Sequence, residues 1–381
     1  MAIYLDNNAT TLLDEDVLQA MLPYMGQLTG NPSSVHRFGR IQKDAIEQAR
    51  AAVAELAGAR AEQVIFTSGG TESNNLVLKG FRQQRPDSRI AVSAVEHLSM
   101  LEPAQNLHPA ADIIAVDEQG KVDLQHVEQA MTENTELLSV MMVNNETGVI
   151  QELPPLVEFA HQRNCFIHTD ASQAAGKIAV DFIASGVDAM TLSAHKLYGP
   201  IGVGALIVDK RLPISKVQFG GSQENNLRAG TENVPGIVGF GKAAELAMES
   251  LQTRSEQALE LRTAFEKGLK RLSSVSIFAE QAERLPNTVQ FGVDGFDGET
   301  LLMQLDRKAI AVSSGSACTS GKTEPSHVLS AMKVPTALAN SAIRVSFGKN
   351  NTMSDVDALL AALTDIIETN RHSSVMMAAS V

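Results

Sequence analysis

The chain has 381 residues, which at about 150 residues per domain allows two to three domains. With 44% hydrophobic and 20% charged residues, 27 glycines and 13 prolines, it is neither a disordered nor a collagen-like chain. A net charge of −13 and an isoelectric point near 5.2 argue against a nucleic-acid coat or a binder of anionic membranes. The two cysteines, Cys165 and Cys318, are too few for a disulfide scaffold, and no CxxC pair offers zinc or an iron–sulfur cluster a site. A reducing cytoplasm is the expected compartment. The first residues carry neither a basic stretch nor a long apolar run, so no signal peptide is expected. Apolar stretches such as 137–143 are strand-sized, far short of the ~20 residues a membrane helix needs.

In chain order, helical spacing occurs at Val17, Leu18, Met21, Leu22 and Met25. It recurs at Ile41, Ala45, Ala49, Val53 and Leu56 and stops at Gly58. Strand-like runs follow at 64–66, 89–95, 112–116, 137–143, 165–168, 189–192 and 204–208, with helix-sized segments such as 153–164 between most of them. Apolar strands alternating with helices predict a mostly parallel sheet covered on both faces. The seven runs fit one large domain.

Near residue 235 the rhythm changes. Two long helical stretches are expected over about 234–272, then strands at 275–278 and 288–293, a helix at 299–306, and strands at 310–313 and 341–347. A last helix follows Thr352, with Thr352 or Ser354 as its cap, and the tail from His372 is expected to fray. There is no internal repeat. The division expected is a large domain over 12–253 and a smaller α+β domain made of 1–11 and 254–381, which carries Cys318 and Arg344.

The polar residues at the strand ends carry the chemistry. Residues 67–75 join a strand to a helix through Gly69, Gly70 and Thr71, a phosphate cradle that is neither a Walker loop nor GxGxxG. His97 ends the next strand, where it could stack on a flat cofactor or shuttle protons, although most lone histidines do neither. Asn145 ends the run from 137, either satisfying a loop or touching a cofactor oxygen. Asp170 ends the run from 165, where open α/β sheets bind ligands. It reads as a helix cap or as the partner of a pyridinium nitrogen. Lys196, 26 residues further on, is a loop lysine or a Schiff-base former.

Two more candidates follow the change of rhythm. Cys318 lies among small and polar residues, which points to an exposed, reactive thiolate, whereas Cys165 opens an apolar strand and reads as core. Arg344, embedded in a strand, fits a substrate carboxylate or a structural ion pair equally well. Taken together, these features describe a pyridoxal-phosphate enzyme acting on an amino acid with a thiol-dependent step.

The strings YLDNNATT at 4–11, GNPSSVH at 30–36, SGGTESNN at 68–75, VNNETG at 143–148, HTDASQAAGK at 168–177, SAHKLYGP at 193–200, LRAGTEN at 227–233 and SSGSACTSG at 313–321 resemble the cysteine desulfurases. These are class-V aminotransferase relatives among the fold-type I pyridoxal-phosphate enzymes. The serine-rich segment around Cys318 is similar to the group I, NifS/IscS-like branch. Residues 218–226 depart from the Gly- and Arg-rich segment usual there, Ser172 stands where an apolar residue is commoner, and the C-terminus lacks the acidic and aromatic ending of housekeeping members.

The resemblance implies an α/β fold of type I, with a seven-stranded, mainly parallel sheet and a smaller α+β domain. It implies that Lys196 holds the coenzyme and moves the substrate's α-proton, that Asp170 pairs with the pyridinium nitrogen, and that His97 stacks on the ring and takes part in acid–base steps. Gln173 and Asn145 would contact cofactor or substrate, and Gly70, Thr71, Ser193 and His195 would hold the phosphate. Thr231 would reach the phosphate of the neighbouring subunit, making the active unit a homodimer, and Arg344, helped by Asn145, would bind the substrate carboxylate.

L-Cysteine would give L-alanine and a persulfide on Cys318. The sulfur would then pass to an acceptor or scaffold protein for iron–sulfur cluster assembly or other thio-cofactors. The alternatives are a selenocysteine lyase or an aminotransferase on the same fold, or a catalytically silent scaffold. No metal, nucleic acid or membrane is expected to take part.

Overall fold

The computed structural model describes residues 2–314 and 325–378. Its centre is a seven-stranded sheet with the spatial order Val64–Thr67, Gly204–Val208, Ala189–Ser193, Phe166–Asp170, Thr135–Ser139, Arg89–Ser93 and Asp112–Ile114. Every neighbouring pair is parallel except those made by Gly204–Val208, which runs antiparallel to both its neighbours. All seven strands match runs expected from the sequence. Parallel strands need helical crossovers, and these cover both faces. That is why the central strands Ala189–Ser193 and Gly204–Val208 are buried at every position.

A second sheet has the order Ser313–Ser314, Ile343–Ser346, Thr288–Val293 and Val275–Ile277, antiparallel throughout. The run at 310–313 is divided. Ile310–Ala311 pairs in parallel with Ile3–Tyr4, so the N-terminus is tied to the C-terminal part of the chain. The two helical stretches expected over 234–272 are one helix, Val234–Leu269, of 36 residues. Its interior from 242 to 267 has neither Gly nor Pro, so nothing breaks the hydrogen-bond ladder. Asn233 caps its start by accepting from the Gly236 N–H at 3.3 Å.

The two ends of this helix enter different cores. Ile237, Phe240, Ala243 and Ala247 pack with the large sheet, whereas Leu261, Phe265 and Leu269 pack with Val289, Phe291, Val345 and Leu363. The last helix is Met353–Ala378, longer than the fraying expected from His372 suggested. Among the described residues no helix is long and apolar enough to cross a membrane. Cys165 is buried and free, as the sequence suggested, and burial pushes its thiol up to about 12.

Candidate active site

The parallel strands end along one edge of the large sheet, and their last residues and following turns line one cavity. Its walls include Gly70, Thr71, His97, Asn145, Asp170, Gln173, Ser193, His195 and Lys196. The space is about 620 Å³, counting the part that is open to solvent.

The cradle stands at the start of the helix Gly70–Gln84. Gly69, just before it, has φ +149°, a conformation that side-chain-bearing residues rarely adopt. A Cβ on Gly204 of the adjacent strand would come within 2.7 Å of the Gly69 Cα, so two glycines let the turn lie flat on the sheet. The first-turn N–H groups of Gly70 and Thr71 have no acceptor within the helix. The positive end of the helix dipole therefore opens onto the cavity, a natural place for an anion.

Lys196 sits on the short turn Ala194–Lys196 that follows the strand Ala189–Ser193. Its Nζ donates to the carbonyls of Asn8 at 2.7 Å and Ala9 at 2.8 Å. Burial lowers its pKa from 10.5 to about 8. The Arg344 charge acts in the same direction, against Asp170 and Asp6. Beside it, burial brings the His195 imidazole down to about 4, helped by Lys196 and Lys177, and its Nδ1 lies 3.2 Å from Thr10 Oγ1.

Asp170 is held from two sides. Its Oδ1 accepts from the Ser172 N–H at 2.9 Å and its Oδ2 from Asn74 Nδ2 at 2.8 Å. The second Asn74 N–H goes to Ser99 Oγ at 2.9 Å. Gln173 is held just as firmly, donating through Nε2 to Asn8 O at 2.9 Å and accepting from Lys177 Nζ at 2.7 Å. His97 caps the helix Leu98–Gln105, its Nδ1 accepting from the Ser99 N–H at 3.1 Å. The ring is open to the cavity, yet the surrounding protein lowers its pKa through burial.

Three expected residues are not on the cavity wall as described. Arg344 is buried behind Asn145, donating to its carbonyl at 3.0 Å and pairing with Asp6 at 2.7 Å, while its Nε has no partner among the described residues. Thr231 is exposed and lies elsewhere on the surface. Cys318 lies outside the described residues. The sequence reading did not single out Asn8, Asn74, Ser99 or Lys177 as site residues. Asn8, Asn74 and Lys177 all stand inside the quoted strings, and Ser99 follows His97 by two positions, the spacing of a capping contact.

The chain matches the family model for aminotransferase class V over residues 3–359. It belongs to the class-V aminotransferase family. Among its relatives, "Cysteine desulfurase IscS" of Dictyoglomus turgidum is 44% identical over 98% of this chain and 96% of its own length. The solved NifS-like protein from Rickettsia africae is 36% identical, with a TM-score of 0.89 over 97% of this chain and 100% of its own. A second solved structure, SspA in complex with cysteine, is 31% identical, with a TM-score of 0.81 over 92% of this chain and 100% of its own.

Class-V aminotransferase enzymes use pyridoxal phosphate, and the cavity fits that coenzyme. Its phosphate needs donors, and the helix start provides them. The buried Ser172 Oγ, which has no hydrogen-bond partner among the described residues, is one more donor on the same wall. A Cβ on Gly70 would stand 3.3 Å from that hydroxyl, so glycine keeps this corner open. An amine of lowered pKa and a doubly held carboxylate complete the donor and acceptor set.

Proposed function

We propose that this pyridoxal-phosphate-dependent cysteine desulfurase works mainly through the nine residues gathered on one cavity wall, with Lys196 at the centre. The observation that carries the reading is the pairing of a lysine whose pKa is lowered to about 8 with Asp170 in the same cavity. The bound coenzyme supplies an electron sink for the charge left when the substrate's α-proton is removed.

Lys196 holds the coenzyme and carries that proton at Nζ, an amine that burial keeps ready to accept it. Asp170, its orientation set by Asn74 and Ser172, would pair with the ring nitrogen. Gly70, Thr71, Ser193 and His195, all on the cavity wall, would hold the phosphate, and His97 would lie against the ring. Gln173 and Asn145 contact the coenzyme or the substrate. Arg344, whose Nη1 donates to Asn145 O and whose Nε has no partner among the described residues, would receive the substrate carboxylate. The Cys318 thiolate would form an S–S bond to the sulfur of L-cysteine as the C–S bond breaks, and the electron pair left on carbon would take a proton to give L-alanine.

The active unit in this reading is a homodimer, with Thr231 reaching the partner's phosphate. Val35 (89%), Phe219 (77%) and Ile201 (76%) are large apolar side chains left exposed in the single chain. The chain divides near 253/254, within the long helix whose two ends serve different cores. The sulfur passes to an acceptor or iron–sulfur scaffold protein in the cytoplasm.

The test is incubation of the purified protein with L-cysteine, with and without a reductant, while alanine and sulfide are quantified. Cys318→Ser should stop desulfuration and leave coenzyme binding intact, and Lys196→Ala should abolish both alanine and covalent coenzyme. Undiminished desulfuration in Cys318→Ser would remove Cys318 as acceptor.

A further inference from the structure

Asn74 is fully buried and lies behind the cavity wall, yet it connects two of the wall's residues. A carboxylate oxygen only accepts, so the amide must turn its Nδ2 toward Asp170. The second proton on the same nitrogen then points at Ser99 Oγ, which accepts it. The Ser99 hydroxyl proton is left free to go to His97 Nδ1, 2.9 Å away. The Ser99 N–H points at the same Nδ1. Two donors directed at one ring nitrogen leave no room for a proton on it.

We propose that Asn74 and Ser99 lock the neutral His97 ring in the tautomer with its proton on Nε2, so that Nε2 is the N–H donor of the resting site. Asn74 and Ser99 are positioning residues, and Asp170 sets the polarity of the chain of bonds. Taking a second proton would require a hydrogen on Nδ1. That would break the helix cap and oppose the Ser99 hydroxyl.

The charged and titratable groups around the ring come from four elements: Asp170, Lys196, His327 and Arg344. Asp170 favours the imidazolium, while the other three, together with burial, oppose it. Neighbouring Glu96 turns its carboxyl away, to Ser93 Oγ and the Met141 N–H. The inference deepens the functional reading above and rests on it only for the identity of the coenzyme.

The experiment uses the holoenzyme labelled with 15N-histidine. Two-bond 15N–1H correlations are recorded from about pH 6 to about pH 9, the range in which histidines ordinarily change charge. His97→Gln assigns the signal. The parent should show Nδ1 bare and Nε2 protonated throughout. Ser99→Ala, which keeps the N–H cap, should give a mixture of tautomers. Its titration midpoint should move up by about one unit, a tenfold gain in proton affinity. Asn74→Ala should do the same, and if it does not fold, Ser99→Ala at a less buried position decides.

A parent ring protonated on Nδ1, a midpoint at or above the usual 6.5, or variants indistinguishable from the parent would overturn the proposal. Alanine formation in the same samples separates the two readings. A locked ring in a protein that makes no alanine keeps this inference and removes the activity.

Discussion

The charge on Lys196 should govern how fast the apoprotein captures pyridoxal phosphate, because only the uncharged amine attacks an aldehyde. With its pKa lowered from 10.5 to about 8, the cost of charging corresponds to a 2.5-unit shift (10.5 minus 8). That is about 3.4 kcal/mol at 1.36 kcal/mol per unit. At about pH 7.5 roughly a quarter of the molecules would hold a free amine, against about one in a thousand for an ordinary lysine, some 240-fold more.

The assay is stopped-flow reconstitution of apoprotein, followed by the coenzyme's absorbance across about pH 6 to 10. The rate should climb about tenfold per unit and level off near pH 8. In Arg344→Met the midpoint should move upward, since a repelling cation is lost and the attracting Asp6 is left without its partner. A parent rate that still rises tenfold per unit beyond about pH 9.5, or a midpoint that falls in Arg344→Met, would refute this account of the lysine.

Two further outcomes follow from the geometry. Glu96 is fully buried, and burial together with the nearby Asp170 charge raises its pKa from 4.5 to about 8, with hydrogen bonds from Ser93 and Met141 opposing. A carboxyl of raised pKa contributes stability below about pH 4.5 and loses it as the pH climbs through about 8. Glu96→Gln keeps both accepted hydrogen bonds and carries no charge. Urea unfolding should therefore show the parent losing about 3 kcal/mol relative to the variant between pH 4.5 and pH 7, and equal slopes would exclude the effect. Gly204→Ala places a methyl against the Gly69 backbone, so coenzyme affinity should fall at least tenfold by equilibrium titration while the far-ultraviolet circular dichroism stays unchanged.

Much of the molecule was legible from sequence because its signals are local. The seven strands are apolar runs of strand length, and burial on both faces makes such runs conspicuous. The wall residues Gly70, His97, Asn145, Asp170 and Lys196 stand at or just beyond strand ends, where an α/β sheet places its ligands, so their position along the chain nearly gave their position in space.

What the tertiary structure decided is how distant segments restrain these groups. Asn8 brings its carbonyl to Lys196 from 188 residues away, Asp6 neutralises Arg344 across 338, and Asn74 reaches Asp170 across 96. No periodicity records such pairings, because they arise only when the chain closes on itself. The lowered lysine pKa, the direction of the Asn74 amide and the tautomer of His97 all follow from that closure, since burial and hydrogen-bond partners, and not residue type, set which proton a side chain keeps.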